Sequence, residues 1–123
     1  MWILYQVLQY ESHMEVKGDQ DDFIPLFTGL PDGNIKTAVQ EVIDNLKKDH
    51  NIGEHIKKRD IPRYYIKKHN IPVLYLVDLP QWWRLTYSIM EFEVKNELSC
   101  LMLELMNHDQ YNKRFGLFKK KSA

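Results

Sequence analysis

The sequence has a single cysteine, Cys100. That excludes an intrachain disulfide and a cysteine-rich zinc site, and a reducing cytoplasm is the expected compartment. It has no net charge, since 17 Lys and Arg offset 17 Asp and Glu. It also lacks any apolar run near the ~18 residues of a membrane span, and the mean hydropathy is −0.48, so no membrane is expected as a partner. The apolar start MWILYQVLQY has no basic flank and soon meets Glu11, so it reads as a strand and not as a signal peptide. No glycine-rich phosphate loop of either common type is present. The histidines (His13, His50, His55, His69, His108) show no compact ligand spacing, so neither a metal nor a cofactor is expected. Cys100 lies in an apolar stretch and is assigned to the core.

What is present suffices for one packed unit. Hydrophobic residues make up 44%, with 3 Trp, 7 Tyr and 5 Phe, which excludes a wholly disordered chain and points to a single domain over residues 1–123. The zero charge hides a gradient. Residues 1–45 hold eight acids and two bases, a balance of −6. Residues 46–89 hold nine bases and four acids, and residues 90–123 six bases and five acids, which gives +5 and then +1.

Trp2 to Tyr10 is rich in aromatic and branched residues and reads as a strand. Residues 11–22 are polar and read as a loop. A short apolar cluster of Phe23, Ile24, Leu26 and Phe27 follows, with Pro25 suited to the first turn of a short helix. Ile35, Ala38, Val39, Val42, Ile43 and Leu46 recur at three- and four-residue spacing, which predicts a helix over 34–48 with Asp32 or Asn34 as its cap. Residues 73–79, 83–90 and 98–106 read as strands joined by short links, hence as antiparallel neighbours. In the second, Trp83, Leu85, Tyr87 and Ile89 share one face, and Arg84, Thr86 and Ser88 share a face left to solvent or a ligand. In the third, Leu101, Leu103 and Leu105 point one way, and Cys100, Met102 and Glu104 the other. Trp82 and Trp83 are assigned to the turn and the core. The fold class is α+β: an N-terminal strand and one or two helices packed on an antiparallel meander, with a basic functional tail over 107–123. The place of residues 1–22 is open.

Three groups of residues can carry chemistry. The segment 53–70 holds Lys57, Lys58, Arg59, Arg63, Lys67 and Lys68 against two acids, with Tyr64 and Tyr65 between them. Cations interleaved with rings suit RNA, whereas a solvated loop anchored by two tyrosines is the alternative. Arg84 stands mid-strand, where a charge needs a carboxylate partner such as Glu104 or an anionic ligand. His108, Asp109 and Tyr111 follow the last strand, with Lys113 and Arg114 beyond. There they either serve a site or pack the tail.

Together NIGEHIKK (51–58), LPQWWRLTYSI (79–89) and LMLELMNHDQYNKRFG (101–116) resemble the RelE/ParE superfamily of type II toxins, over about residues 35–116. The resemblance implies a ribosome-dependent, metal-independent mRNA endoribonuclease neutralised by a cognate antitoxin, with mRNA and the ribosome as the other partners. It implies that Arg84 stabilises the transition-state phosphate. It gives Tyr111 the role of orienting the base or assisting proton transfer, and His108 that of proton transfer. Lys57, Lys58, Arg59, Arg63, Lys67, Lys68, Lys113 and Arg114 are the candidate RNA contacts. The alternative is a binding protein on the same fold without nuclease activity, either a gyrase inhibitor of the ParE kind or a relative that only holds a partner.

Overall fold

The structure is a computed structural model and describes residues 15–48, 52–92 and 97–116. The fold is α+β, with a five-stranded mixed sheet and four α-helices among the described residues. The strands are β1 (Glu15–Gly18), β2 (Glu54–Ile56), β3 (Leu74–Asp78), β4 (Arg84–Phe92) and β5 (Glu97–Met106). The helices are α1 (Ile24–Gly29), α2 (Asn34–Leu46), α3 (Arg63–His69) and α4 (His108–Arg114). The sheet order is β1-β5-β4-β3-β2. Strands β2 to β5 pair antiparallel in succession, and β1 adds to β5 in parallel. The strand expected over Trp2–Tyr10 lies outside the described residues. The stretch 11–22, expected as a loop, instead contributes β1.

Helix α2 follows from its periodicity. Val39, Val42 and Leu46 are buried and pack on Leu79, Leu85, Tyr87, Cys100, Met102 and Leu105 of the sheet. Its cap differs from expectation: Gly33 occupies the N-cap, with no side-chain hydrogen bond from Asp32 or Asn34. Pro25 sits in the first turn of α1, where its missing N–H costs nothing, and Phe23 stacks on Phe27 at 5.5 Å. Gly53 approaches β3 so closely that a Cβ there would lie 3.0 Å from Leu76 O and 3.1 Å from the Tyr87 ring, while its N–H bonds Tyr87 Oη. No larger residue fits without displacing backbone.

The second face of the sheet is covered too, which corrects the expectation that it stays open. Helices α3 and α4 lie on it around Tyr65, Ile71, Leu74 and Leu103. Thr86 and Ser88, expected to face solvent or a ligand, are fully buried. They reach that state because their hydroxyls find partners inside: Thr86 donates to Tyr65 Oη, and Ser88 donates to Val73 O at 2.7 Å. Helix α3 falls in a segment open to reading as a loop. It ends at Asn70, whose φ of 51° is the left-handed cap that asparagine tolerates.

Strand β5 carries a bulge. Tyr87 pairs with Met102 and Thr86 with Glu104, leaving Leu103 without a register partner. One extra residue reverses the alternation. Cys100, Met102 and Leu105 therefore share the α2 face, and Leu101, Leu103 and Glu104 share the other. The expected set Leu101, Leu103, Leu105 is thereby split. Glu104 now points under α3 and α4. It accepts from Tyr65 Oη at 2.5 Å and takes Arg114 in a two-pronged pair at 2.9 Å for each bond.

Glu104 is 7% exposed, so removing it strands a half-buried guanidinium and a buried hydroxyl. Glu104→Ala should cost about 2–4 kcal/mol. The paired change Glu104→Leu with Arg114→Met should recover the guanidinium's share of it, because a buried ion pair adds little beyond its apolar replacement, and leave the cost of the unpaired Tyr65 hydroxyl. Urea denaturation of the three proteins measures both effects.

Candidate functional site

Strand β4 begins at Arg84, directly opposite Met106 near the end of β5. One residue after Met106 the chain turns into α4. Asn107 accepts from the Gln110 N–H, and the Gln110 side chain accepts from the Asn107 N–H, each at 2.9 Å, which closes a capping box. The helix therefore starts beside the head of β4. His108 and Tyr111 are three residues apart on it and share a face. Arg84, His108 and Tyr111, chosen separately from the sequence, come together here.

The Arg84 guanidinium lies 5.1 Å from the Tyr111 ring and 5.9 Å from the Trp82 ring, within reach of cation–π attraction. Trp82 also meets the His108 ring at 5.7 Å between centroids. Asn112 Nδ2 is 3.3 Å from His108 Nε2, so the imidazole has a neighbour to orient it. Arg84 donates through Nε to Asp78 at 2.9 Å and through one terminal nitrogen to Trp83 O at 3.1 Å. Its carboxylate partner is thus its cross-strand neighbour Asp78, and not Glu104. The Arg84 side chain is only 14% exposed and Asp78 is 79% exposed, so a largely covered guanidinium is met from the solvent side by a carboxylate that a better anion can displace. Beyond Tyr111 an open depression of about 230 Å³ runs to His55, Lys57 and Asp60, floored by Leu76 and Phe115.

The basic residues fall into two groups. Lys57, Lys58, Arg59, Arg63, Lys67 and Lys113 are exposed. Lys68 and Arg114 are engaged within the fold. Lys68 bridges Asp19, Asp21 and Asp22 at 3.1–3.2 Å. Desolvation alone would lower its pKa, but the three carboxylates outweigh that and hold it above the usual lysine range. Arg114 sits 3.6 Å over the Tyr64 ring while paired with Glu104, which raises its pKa. Tyr64 in turn donates to Asp22. Burial, with Glu104 alongside, pushes the Tyr65 hydroxyl above its ordinary range, so it remains a donor. Burial likewise pushes the Cys100 thiol up to about 12, which suits a core residue and not a nucleophile.

Sequence reasoning passed over one site residue, Trp82. It is 66% exposed, whereas Trp83 packs on the core. Among the described residues no group of three or more His, Cys, Asp or Glu is placed to hold a metal ion, and no helix is long and apolar enough to cross a membrane.

Burial would raise the Asp19 carboxyl. The N–H groups of Asp22 and Asp21 and the Lys68 ammonium overcome this and hold it below 3.8. A carboxyl depressed in the folded state stabilises above its unfolded pKa, and that contribution fades as pH falls through the folded one. Asp19→Asn should therefore cost about 1–2 kcal/mol at neutral pH and flatten the loss of stability below pH ~4. Denaturant melts across the acid range measure this.

No family model, curated protein or solved structure matches the chain.

Proposed function

We propose that the chain is the toxin of a type II toxin–antitoxin pair, an RNA-binding protein that cuts mRNA on the ribosome without a metal ion. One observation carries the reading. A cation, an imidazole and a phenol lie in one cluster on the rim of the sheet, flanked by an exposed indole. Strands β2 to β5 in antiparallel succession, with α2 packed on one face, are compatible with a RelE-like arrangement. The single buried cysteine suits action in the cytoplasm.

Cleavage needs no added reactant. The 2′-hydroxyl attacks the adjacent phosphorus and loses its proton. The P–O5′ bond breaks, and the 5′-oxygen takes up a proton. The products are a 2′,3′-cyclic phosphate and a 5′-hydroxyl. Arg84 binds the phosphoryl oxygens as their charge grows, after exchanging Asp78 for the phosphate. His108 moves the proton, since imidazole accepts and returns one near neutral pH. Tyr111 bears on the substrate from beside Arg84. The exposed Lys57, Lys58, Arg59, Arg63, Lys67 and Lys113 supply the salt-dependent attraction to the backbone.

A second reading, a partner-binding domain without nuclease activity, is favoured by one feature. Arg84, Lys68 and Arg114 already have carboxylate partners, which reduces the cationic surface.

Added to a cell-free translation reaction, the protein should produce codon-phased transcript cuts by primer extension. Arg84→Ala should lower the cleavage rate on the order of 10²-fold or more. Tyr111→Phe and His108→Ala should each lower it by roughly tenfold or more. Intact transcripts with the folded wild-type protein would favour the non-nuclease reading.

A further inference from the structure

The connection between β3 and β4 has a backbone that its residues disfavour. Trp83 N–H donates to Pro80 O at 3.3 Å. Between them Gln81 and Trp82 both have positive φ, 60° and 68°. That is the sign pattern of a type I′ turn, the tight connection whose twist matches the flanking strands. Asn-Gly or Asp-Gly ordinarily fills it, because glycine has no Cβ to clash and asparagine tolerates the left-handed region. A glutamine and an indole in those positions carry a steric cost.

The fold gains little burial in exchange, since Trp82 is 66% exposed. The cation–π contact with Arg84, near the outer limit of such attraction at 5.9 Å, offsets little of the strain of two left-handed residues, and strain of this kind collects at functional sites. What the turn does provide is position. The indole stands 5.7 Å from the His108 ring and 5.9 Å from the Arg84 guanidinium. A flat π-face beside a cation matches one nucleotide, with the base on the ring and the phosphate on the guanidinium.

We infer that Trp82 is a stacking platform for a nucleobase of single-stranded nucleic acid, the base of the nucleotide whose phosphate Arg84 holds. This rests on the reading of Arg84 as a phosphate-binding group. Stacking accepts any base, so the platform sets affinity and register and leaves sequence preference to other contacts. The signal is the conflict between residue and backbone, which appears only once both φ values are known.

The test uses the full-length protein and a fluorescent oligoadenylate of about eight nucleotides, the length range of one small single-strand site. Anisotropy titrations and thermal melts are recorded for wild type, Trp82→Gly, Trp82→Phe and Arg84→Ala. Glycine suits the turn, so Trp82→Gly should melt a few degrees higher while binding on the order of tenfold more weakly. Trp82→Phe should stay within about threefold of wild type, because it keeps a ring to stack on. Wild-type affinity in Trp82→Gly, with binding weakened in Arg84→Ala, would overturn the platform and leave the phosphate site standing. A lower melting temperature for Trp82→Gly would overturn the argument that the indole is held against stability. No binding of the oligonucleotide by wild type would overturn both the platform and the phosphate reading.

Discussion

The Glu104 carboxylate, turned under the helices by a bulge in β5, is the group on which the rest of this structure depends. It joins three elements: Tyr65 of α3 donates to one oxygen, and Arg114 of α4 takes both. Thr86 of β4 reaches the same set through Tyr65. A carboxylate that is 7% exposed is tolerable only when paired and hydrogen-bonded, and Glu104 accepts three bonds. Each partner is therefore held as firmly as it holds. The pairing also anchors the last turn of α4. Its first turn is fixed by the Asn107–Gln110 capping box. With both ends tied, His108 and Tyr111 have little freedom to leave Arg84.

The charge gradient acquires a structural meaning. The acidic stretch at Asp19, Asp21 and Asp22 does not lie apart from the basic middle, because it closes on Lys68 of α3. Arg114 stacks on Tyr64, and Tyr64 donates to Asp22, so the acidic corner and the Glu104 centre form one connected set. Lys57, Lys58, Arg59, Arg63, Lys67 and Lys113 stay exposed. A neutral total is then consistent with a basic working surface, since part of the acid is consumed inside the fold.

Much of this was legible beforehand where the signal is local. Helix α2 followed from six apolar residues at helical spacing, β3 and β4 from branched and aromatic runs, and β5 from its alternation. Arg84, His108 and Tyr111 stood out because a cation expected mid-strand and a polar cluster after a strand are each unusual, although Arg84 proves to be the first residue of β4. Helix α3 was harder, since RYYIKKH is short and buries only Tyr65. Helix α4 was announced by Asn107 and Gln110 at capping-box spacing, a signal read instead as part of a polar tail. Leu103 gave no warning of the bulge, because an extra leucine in LMLELM looks like ordinary alternation. The partners of Lys68 and Arg114 come from distant or oppositely facing segments, and only the folded chain brings them together. Trp82 was hidden because a positive φ belongs to the backbone.

The account's central claim is that the head of β4 and the start of α4 hold the reacting nucleotide, with the exposed cations of 57–67 as outlying backbone contacts. Chemical-shift mapping of the isotope-labelled protein during titration with a single-stranded RNA oligonucleotide tests it most directly. The account predicts that the largest changes fall on the Arg84 side-chain Nε–H, the indole N–H of Trp82, the His108 ring and the amides of Tyr111 and Asn107. Shifts confined to Arg63, Lys67 and the 57–60 segment, with the Arg84 and Trp82 signals unmoved, would contradict it.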